Sequence, residues 1–185
     1  MIDLIPVLSF CLLKGRCRYC GQKISILHPL NELVSGIAQL ILYIHIKDRL
    51  ALIEMSVVLG CILIMSYSDL KIRMINEIFI LIGIINRLIF LIILNDPFIS
   101  LIPGFLFSLL IFFISWICKK ILKKECLGFG DIEFIMMAGM YLDLYHNCLA
   151  LLIACLIALP FTLIKREGIA FIPMLGIGYF LTFLR

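Results

Sequence analysis

Charged residues are scarce in this chain. Only 15% of its 185 residues are Asp, Glu, Lys or Arg, where soluble globular domains carry about a quarter. With 64% hydrophobic residues and a mean hydropathy of +1.19, this scarcity excludes an ordinary soluble domain and argues against nucleic acid as a partner. No separate signal peptide is evident either. The first apolar stretch, Leu4 to Leu13, is too short to cross a bilayer and carries no small-residue cleavage site. Internal repeats, low-complexity tracts and long linkers are also missing. What remains is an all-α, polytopic membrane bundle of about seven helices, residues 31–185, behind a short cytoplasmic segment, residues 1–30.

Eight cysteines would suggest disulfides in a short secreted chain. Cys61, Cys118, Cys148 and Cys155 instead lie in or beside apolar runs and read as small hydrophobes. Only Cys17 and Cys20, in Cys17-x-x-Cys20-Gly21, have ligand-like spacing. Two thiolates are half of a four-ligand zinc site, and His28 is the nearest candidate for a further ligand.

A hydrocarbon core of roughly 30 Å needs about 20 apolar helical residues. That rule places spans near 31–46, 50–68, 75–94, 97–118, 130–145, 147–164 and 169–184, three of them short. With residues 1–30 in the cytoplasm, the inside segments hold Lys14, Arg16, Arg18, Lys23, Lys71, Arg73, Lys119, Lys120, Lys123, Lys124, Lys165 and Arg166. The outside holds Lys47, Arg49 and Arg185, with Arg87 in the outer half of the third span, its long stem free to snorkel outward. Twelve against four obeys the positive-inside rule and sets Asp69 and Asp131 on the same, cytoplasmic, side.

Those two acids are the sites of interest. Asp131 lies in a basic, glycine-broken stretch, residues 119–133, at the mouth of an apolar run, and Asp69 closes an earlier run. A carboxylate at such a place is costly unless it is used or paired; Lys71, Arg73 and Lys124 are nearby partners for a purely solvated acid. Brought together, two carboxylates cannot both ionise cheaply. They share a proton, one acting as base on a water and the other as acid toward a carbonyl. Gly128 and Gly130 suit this chemistry, because glycine lets a backbone approach a substrate strand. A proton or cation relay is the alternative use for the same two acids, although it has no need of the glycines.

Several segments together resemble the type IV prepilin peptidases, membrane aspartic proteases of the GxGD class. They are Ile5-Pro6-Val7-Leu8-Ser9-Phe10, Lys14 to Gly21, Ile24-Ser25, Pro29-Leu30-Asn31-Glu32-Leu33 with Gly36, Ser66-x-x-Asp69-Leu70 through Ile75-Asn76-Glu77, Gly128-Phe129-Gly130-Asp131, and Pro173-Met174-Leu175-Gly176. The resemblance implies a multi-pass protein of the bacterial cytoplasmic membrane. It implies Asp69 and Asp131 as the catalytic pair, and Gly128, Phe129, Gly130, Glu77 and Glu32 as motif or substrate-groove positions. The expected substrate is a prepilin or pseudopilin carrying a short basic leader. Peptidase chemistry of this class needs no cofactor, whereas many relatives also methylate the new N-terminus with S-adenosylmethionine. The chain departs from the pattern in lacking the usual earlier span and first C-x-x-C, in Glu133 where lysine is common, and in Asn76-Glu77 replacing the usual proline and acid. A degenerate homologue that binds pilins without cutting them is a further alternative.

Overall fold

The computed structural model describes residues 6–123, 127–164 and 169–184. Lys124, Lys165, Arg166, Arg185 and Ile5, which enter the charge and motif readings above, lie outside them. The described residues form eight α-helices and no named strand, in two compact units, Met1–Lys47 and Asp48–Arg185.

The first unit holds α1 (Pro6–Leu12) and α2 (Leu27–His45). Between them the chain makes a tight knuckle. Gly21 supplies a left-handed turn at φ 68°, the Cys17 N–H donates to the Gln22 carbonyl at 2.9 Å, and Arg16 bridges to Lys23.

The second unit contains α3 (Arg49–Ile72), α4 (Glu77–Leu94), α5 (Ile102–Leu122), α6 (Phe129–Gly139), α7 (Leu144–Ile164) and α8 (Ile172–Phe183). A 3₁₀ turn, Phe98–Leu101, leads into α5. Polar side chains set several helix starts, as N-cap residues do. Asp48 accepts from the Ala51 N–H at 3.2 Å, Asn76 from Ile78 at 3.1 Å and Asp143 from His146 at 3.0 Å. The His146 ring also contacts the Asp143 carboxylate. The two His146 hydrogen bonds hold the exposed Asp143 carboxyl below its usual range.

All seven predicted spans fall on helices. Four of these, in α3, α4, α5 with its leading turn, and α7, are long and apolar enough to cross a membrane. The span expected at 130–145 is cut short. Helix α6 stops at Gly139, and the following turn is held by Asn147, whose Nδ2 donates to the carbonyls of Gly139, Leu142 and Asp143 at 3.1, 3.2 and 3.0 Å. An apolar stretch of this length is ambiguous by composition, because a buried core helix needs the same hydrophobicity as a span. In the structure the helical part of this run is packed within the bundle: Phe134, Ile135, Met137, Ala138 and Gly139 are all buried.

Helix α6 packs on α4, α5 and α8, and α8 lies against α3 and α7. Two crossings depend on missing side chains. A Cβ on Gly104 of α5 would fall 2.4 Å from the Gly139 carbonyl, and one on Gly178 of α8 would fall 2.3 Å from the Ala150 carbonyl of α7. Backbone cannot yield there as a flexible side chain would, so glycine is required. The buried Tyr179 hydroxyl donates to Asn147 Oδ1 at 3.0 Å, tying α8 to α7.

Candidate active site

Asp69 lies in the last turn of α3. The helix ends because Arg73 takes a left-handed conformation, φ 53°, while the Ser68 hydroxyl donates to the Met74 carbonyl at 2.8 Å and Asn76 then opens α4. The Asp69 side chain is buried. Its Oδ2 accepts from the Ile172 N–H at 3.1 Å, at the first residue of α8. That N–H is one of the donors a helix start leaves without an internal partner, and the positive end of the helix dipole favours a carboxylate there. One turn earlier on α3, the buried Ser66 packs against Gly176 of α8.

Asp131 lies in the first turn of α6, outside the four spanning helices. Its Oδ2 accepts from the Gly128 N–H at 3.2 Å. This is one half of a capping box, the glycine having no side chain to supply the other half. Burial pushes the Asp131 carboxyl up to about 6 from its usual 3.8; the Gly128 hydrogen bond opposes the rise, and the Asp69 charge adds to it. Asp69 and Asp131 therefore interact electrostatically where α3 ends and α6 begins.

The two glycines differ in what their surroundings require of them. Gly128, with φ −67° and ψ 150°, has a backbone open to any residue. Gly130 is helical, and a Cβ there would fall 2.2 Å from Ile75 Cδ1. The space above Gly130 thus admits Ile75, which seats the turn between α3 and α4 on the start of α6. Phe129 is exposed. Glu77 is the exposed first residue of α4, and Glu133 is partly buried, its carboxyl raised by that burial and then by the Glu77 charge. Acids from α3, α4 and α6 accordingly gather at one end of this unit.

Glu32, Cys17 and Cys20 belong to the first unit. Glu32 is exposed and lies in the second turn of α2, because that helix starts at Leu27 and not at residue 31. It is therefore beyond the first turn, where the helix dipole would favour it. Cys17 and Cys20 share the knuckle, and the backbone N–H groups of Cys20 and Tyr19 hold the Cys17 thiol below its usual pKa. Among the described residues no three or more His, Cys, Asp and Glu side chains are grouped to hold a metal. These two thiols furnish half of a four-ligand zinc site.

Arg87 does not reach outward. It is buried and its guanidinium Nη1 pairs with Glu54 Oε1 at 2.9 Å. Glu54 went unremarked in the sequence, although an acid inside one apolar run and an arginine inside the next are the signature of such a pair.

Comparisons with known proteins bear on this geometry. Residues 1–46 match the family model of the bacterial Peptidase A24 N-terminal domain, and residues 56–163 match that of the type IV leader peptidase family. The chain is 29% identical over 189 residues to the prepilin leader peptidase/N-methyltransferase of Pectobacterium carotovorum subsp. carotovorum, covering 95% of this chain and 67% of that protein. It is 28% identical over 182 residues to the type 4 prepilin-like proteins leader peptide-processing enzyme of Escherichia coli O78:H11, covering 95% and 68% respectively. Identity to the prepilin leader peptidase/N-methyltransferase of Dichelobacter nodosus is 27% over 191 residues, covering 99% and 66%. The chain thus spans about two thirds of the length of these relatives. No solved structure matches.

Proposed function

The chain belongs to the type IV leader peptidase family, and we propose that Asp69 and Asp131 are the catalytic pair with which it removes the leader of a type IV prepilin or pseudopilin. The observation that carries this reading is positional: Asp69 is buried where α3 ends, with Oδ2 on the first N–H of α8, and Asp131 opens α6, near enough for the Asp69 charge to add to the rise of its carboxyl. Each commits one oxygen, Oδ2, to a backbone N–H. That fixes the orientation of both groups and leaves Oδ1 of each for substrate and water.

In the working state the pair holds one proton, carried by Asp131. Asp69, ionised, takes a proton from a water as that water's oxygen bonds to the scissile carbonyl carbon, and Asp131 gives its proton to the carbonyl oxygen. The tetrahedral adduct then collapses with the C–N bond breaking, Asp69 giving the proton it took from water to the leaving amine and Asp131 recovering a proton from the adduct's hydroxyl as the carbonyl re-forms. The cut falls on the cytoplasmic side, before the pilin's hydrophobic helix. The acidic surroundings, including Glu77 and Glu133, suit a basic leader approaching that face.

The relatives' names include N-methyltransferase and support a second reading, N-methylation of the new terminus, for which the family resemblance implies S-adenosylmethionine as methyl donor. Side chains before Leu27 are mostly exposed, and Ser66 in α3 is the only buried side-chain polar atom without a hydrogen-bond partner among the described residues. Among the described residues of the first unit no buried side-chain polar atom lacks a hydrogen-bond partner.

Co-expression with a prepilin followed by mass spectrometry tests the proposal. Leader loss with wild type, and none with Asp69→Asn or Asp131→Asn, is expected. Prepilin bound but left intact by wild type would mark a pilin-binding homologue. Proton flux that depends on both aspartates, without cleavage, would mark a relay.

A further inference from the structure

At the opposite end of the same helices lies a second, fully paired polar cluster, built around two consecutive residues of α4. Arg87 reaches in three directions. Its Nη1 meets Glu54 of α3 at 2.9 Å, its Nε donates to the carbonyl of Met140, the residue that closes α6, at 3.2 Å, and its Nη2 donates to Ser100 at 3.4 Å and lies 3.8 Å from the partly exposed Asp96 carboxylate. Asn86 donates to the Glu54 carbonyl at 3.2 Å and to the Tyr141 hydroxyl at 3.1 Å. Tyr141, just past α6, donates back to the Gly83 carbonyl of α4 at 2.6 Å, and its ring lies 5.5 Å below the Arg87 guanidinium.

The helices joined here are the two that carry the aspartates. Helices α3 and α6 share α4 and α8 as packing neighbours, so their relative register is set largely through those two. Glu54 precedes Asp69 by fifteen residues and Met140 follows Asp131 by nine, about 22 Å and 13 Å along a helix axis. A helix is stiff over such lengths, and an axial slip at this end would reappear at the other. We propose that Arg87, with Asn86 and Tyr141, is a register clamp. It ties α3 to α6 through α4 and thereby positions Asp69 against Asp131 from the far end of the bundle.

The chemistry of the cluster suits a clamp. Glu54, 2% exposed, sits among apolar neighbours in a span, where an unpaired charge is costly. A bidentate or forked guanidinium specifies geometry in a way that a lysine ammonium or an apolar contact does not. The cluster has no role in the hydrolysis itself. These are positioning residues, and the inference rests on Asp69 and Asp131 being the catalytic pair.

Two readouts test it on the full chain reconstituted in lipid. With a peptide comprising leader and hydrophobic helix as substrate, Arg87→Met is expected to lower kcat about 100-fold, the order that a misplacement of about 1 Å far from the chemistry produces. KM should stay within about threefold, because uniform binding is untouched. Arg87→Lys, which keeps the charge toward Glu54 but not the fork to Met140, should fall between. The second readout is independent of activity. Spin labels at Leu70→Cys and Phe129→Cys, exposed near the ends of α3 and α6, in a parent whose eight native cysteines are replaced by serine or alanine, should give a broader distance distribution with Arg87→Met than without it.

Thr182→Val is the control, since it removes only hydrogen bonds internal to α8. It should leave both kcat and the distances alone. Wild-type kcat and unchanged distances in Arg87→Met would overturn the clamp, and so would equal broadening in Thr182→Val. If Arg87→Met does not fold, Tyr141→Phe removes the tie to Gly83 while keeping the ring, and the same broadening in milder form is expected. Should cleavage survive Asp69→Asn and Asp131→Asn while Arg87→Met still broadens the distances, the catalytic assignment falls and the clamp on the helices stands.

Discussion

The two ends of the Asp48–Arg185 unit treat charge in opposite ways. At the end formed by the start of α3 and the close of α6, Glu54, Arg87, Asn86 and Tyr141 satisfy one another, cation against anion and donor against acceptor. At the other end, carboxyls from Asp69, Glu77, Asp131 and Glu133 gather, and the interactions among them are repulsive. A satisfied buried network makes for rigidity and a single register. A cluster of like charges kept partly from water stores unfavourable energy that folding alone has no use for, the usual mark of a site for chemistry. Stiffness at one end and strain at the other are complementary, because tuned acids work only if their separation is held.

The comparison breaks first at the aspartates. Asp69→Asn and Asp131→Asn should each lower leader cleavage by about 10³-fold, the scale of losing a positioned acid or base, with the protein still inserted. A mass-spectrometric assay that finds substantial cleavage in either variant removes that residue from the pair.

A smaller effect is expected at the matched end, and it is one of stability. Arg87→Met should cost about 3–5 kcal/mol by leaving Glu54 buried without a partner, whereas Glu54→Met with Arg87→Met should recover most of it. Unfolding in detergent measures both. Equal losses in the single and double variants would mean that the ion pair does not carry the network.

The pH dependence sharpens the contrast further. The Asp131 carboxyl is raised from 3.8 to about 6, so the folded state holds its proton where the unfolded chain has lost it. The resulting stabilisation is complete below pH 3.8 and is lost as the pH rises through about 6. Asp131→Asn cannot ionise and escapes that loss. Its melting temperature relative to wild type should therefore rise between pH 4 and pH 7. A constant difference across that range would show that Asp131 is not held in its raised state.

The smallest signal expected is methyl transfer. On the proposed mechanism hydrolysis needs only the two aspartates, whereas methyl transfer needs a second pocket, so the mature N-terminus is expected to take up little label from S-adenosylmethionine. Efficient labelling by the reconstituted protein would show that the cofactor is held by another arrangement.

Much of this was legible in the residues themselves. Long apolar runs between short charged breaks specify helices and spans, because backbone groups in lipid must be satisfied within each segment. Asn76, Asp143 and the prolines at the starts of α5 and α8 mark helix beginnings by local chemistry alone. Asp69 and Asp131 stood out because an acid beside an apolar run has few cheap explanations. Other features depended on packing. Whether the run at 130–145 is a span or a short core helix turns on what surrounds it, and Phe134, Ile135 and Met137 are surrounded by protein. Arg87 could snorkel or pair with equal ease until Glu54 lay 2.9 Å away. The role of Gly130 was decided by Ile75, a residue of another turn. Local rules act over one helical turn and one membrane thickness, and they set the elements. The neighbours that decide burial, pairing and register come from distant parts of the chain, and only the tertiary structure brings them together.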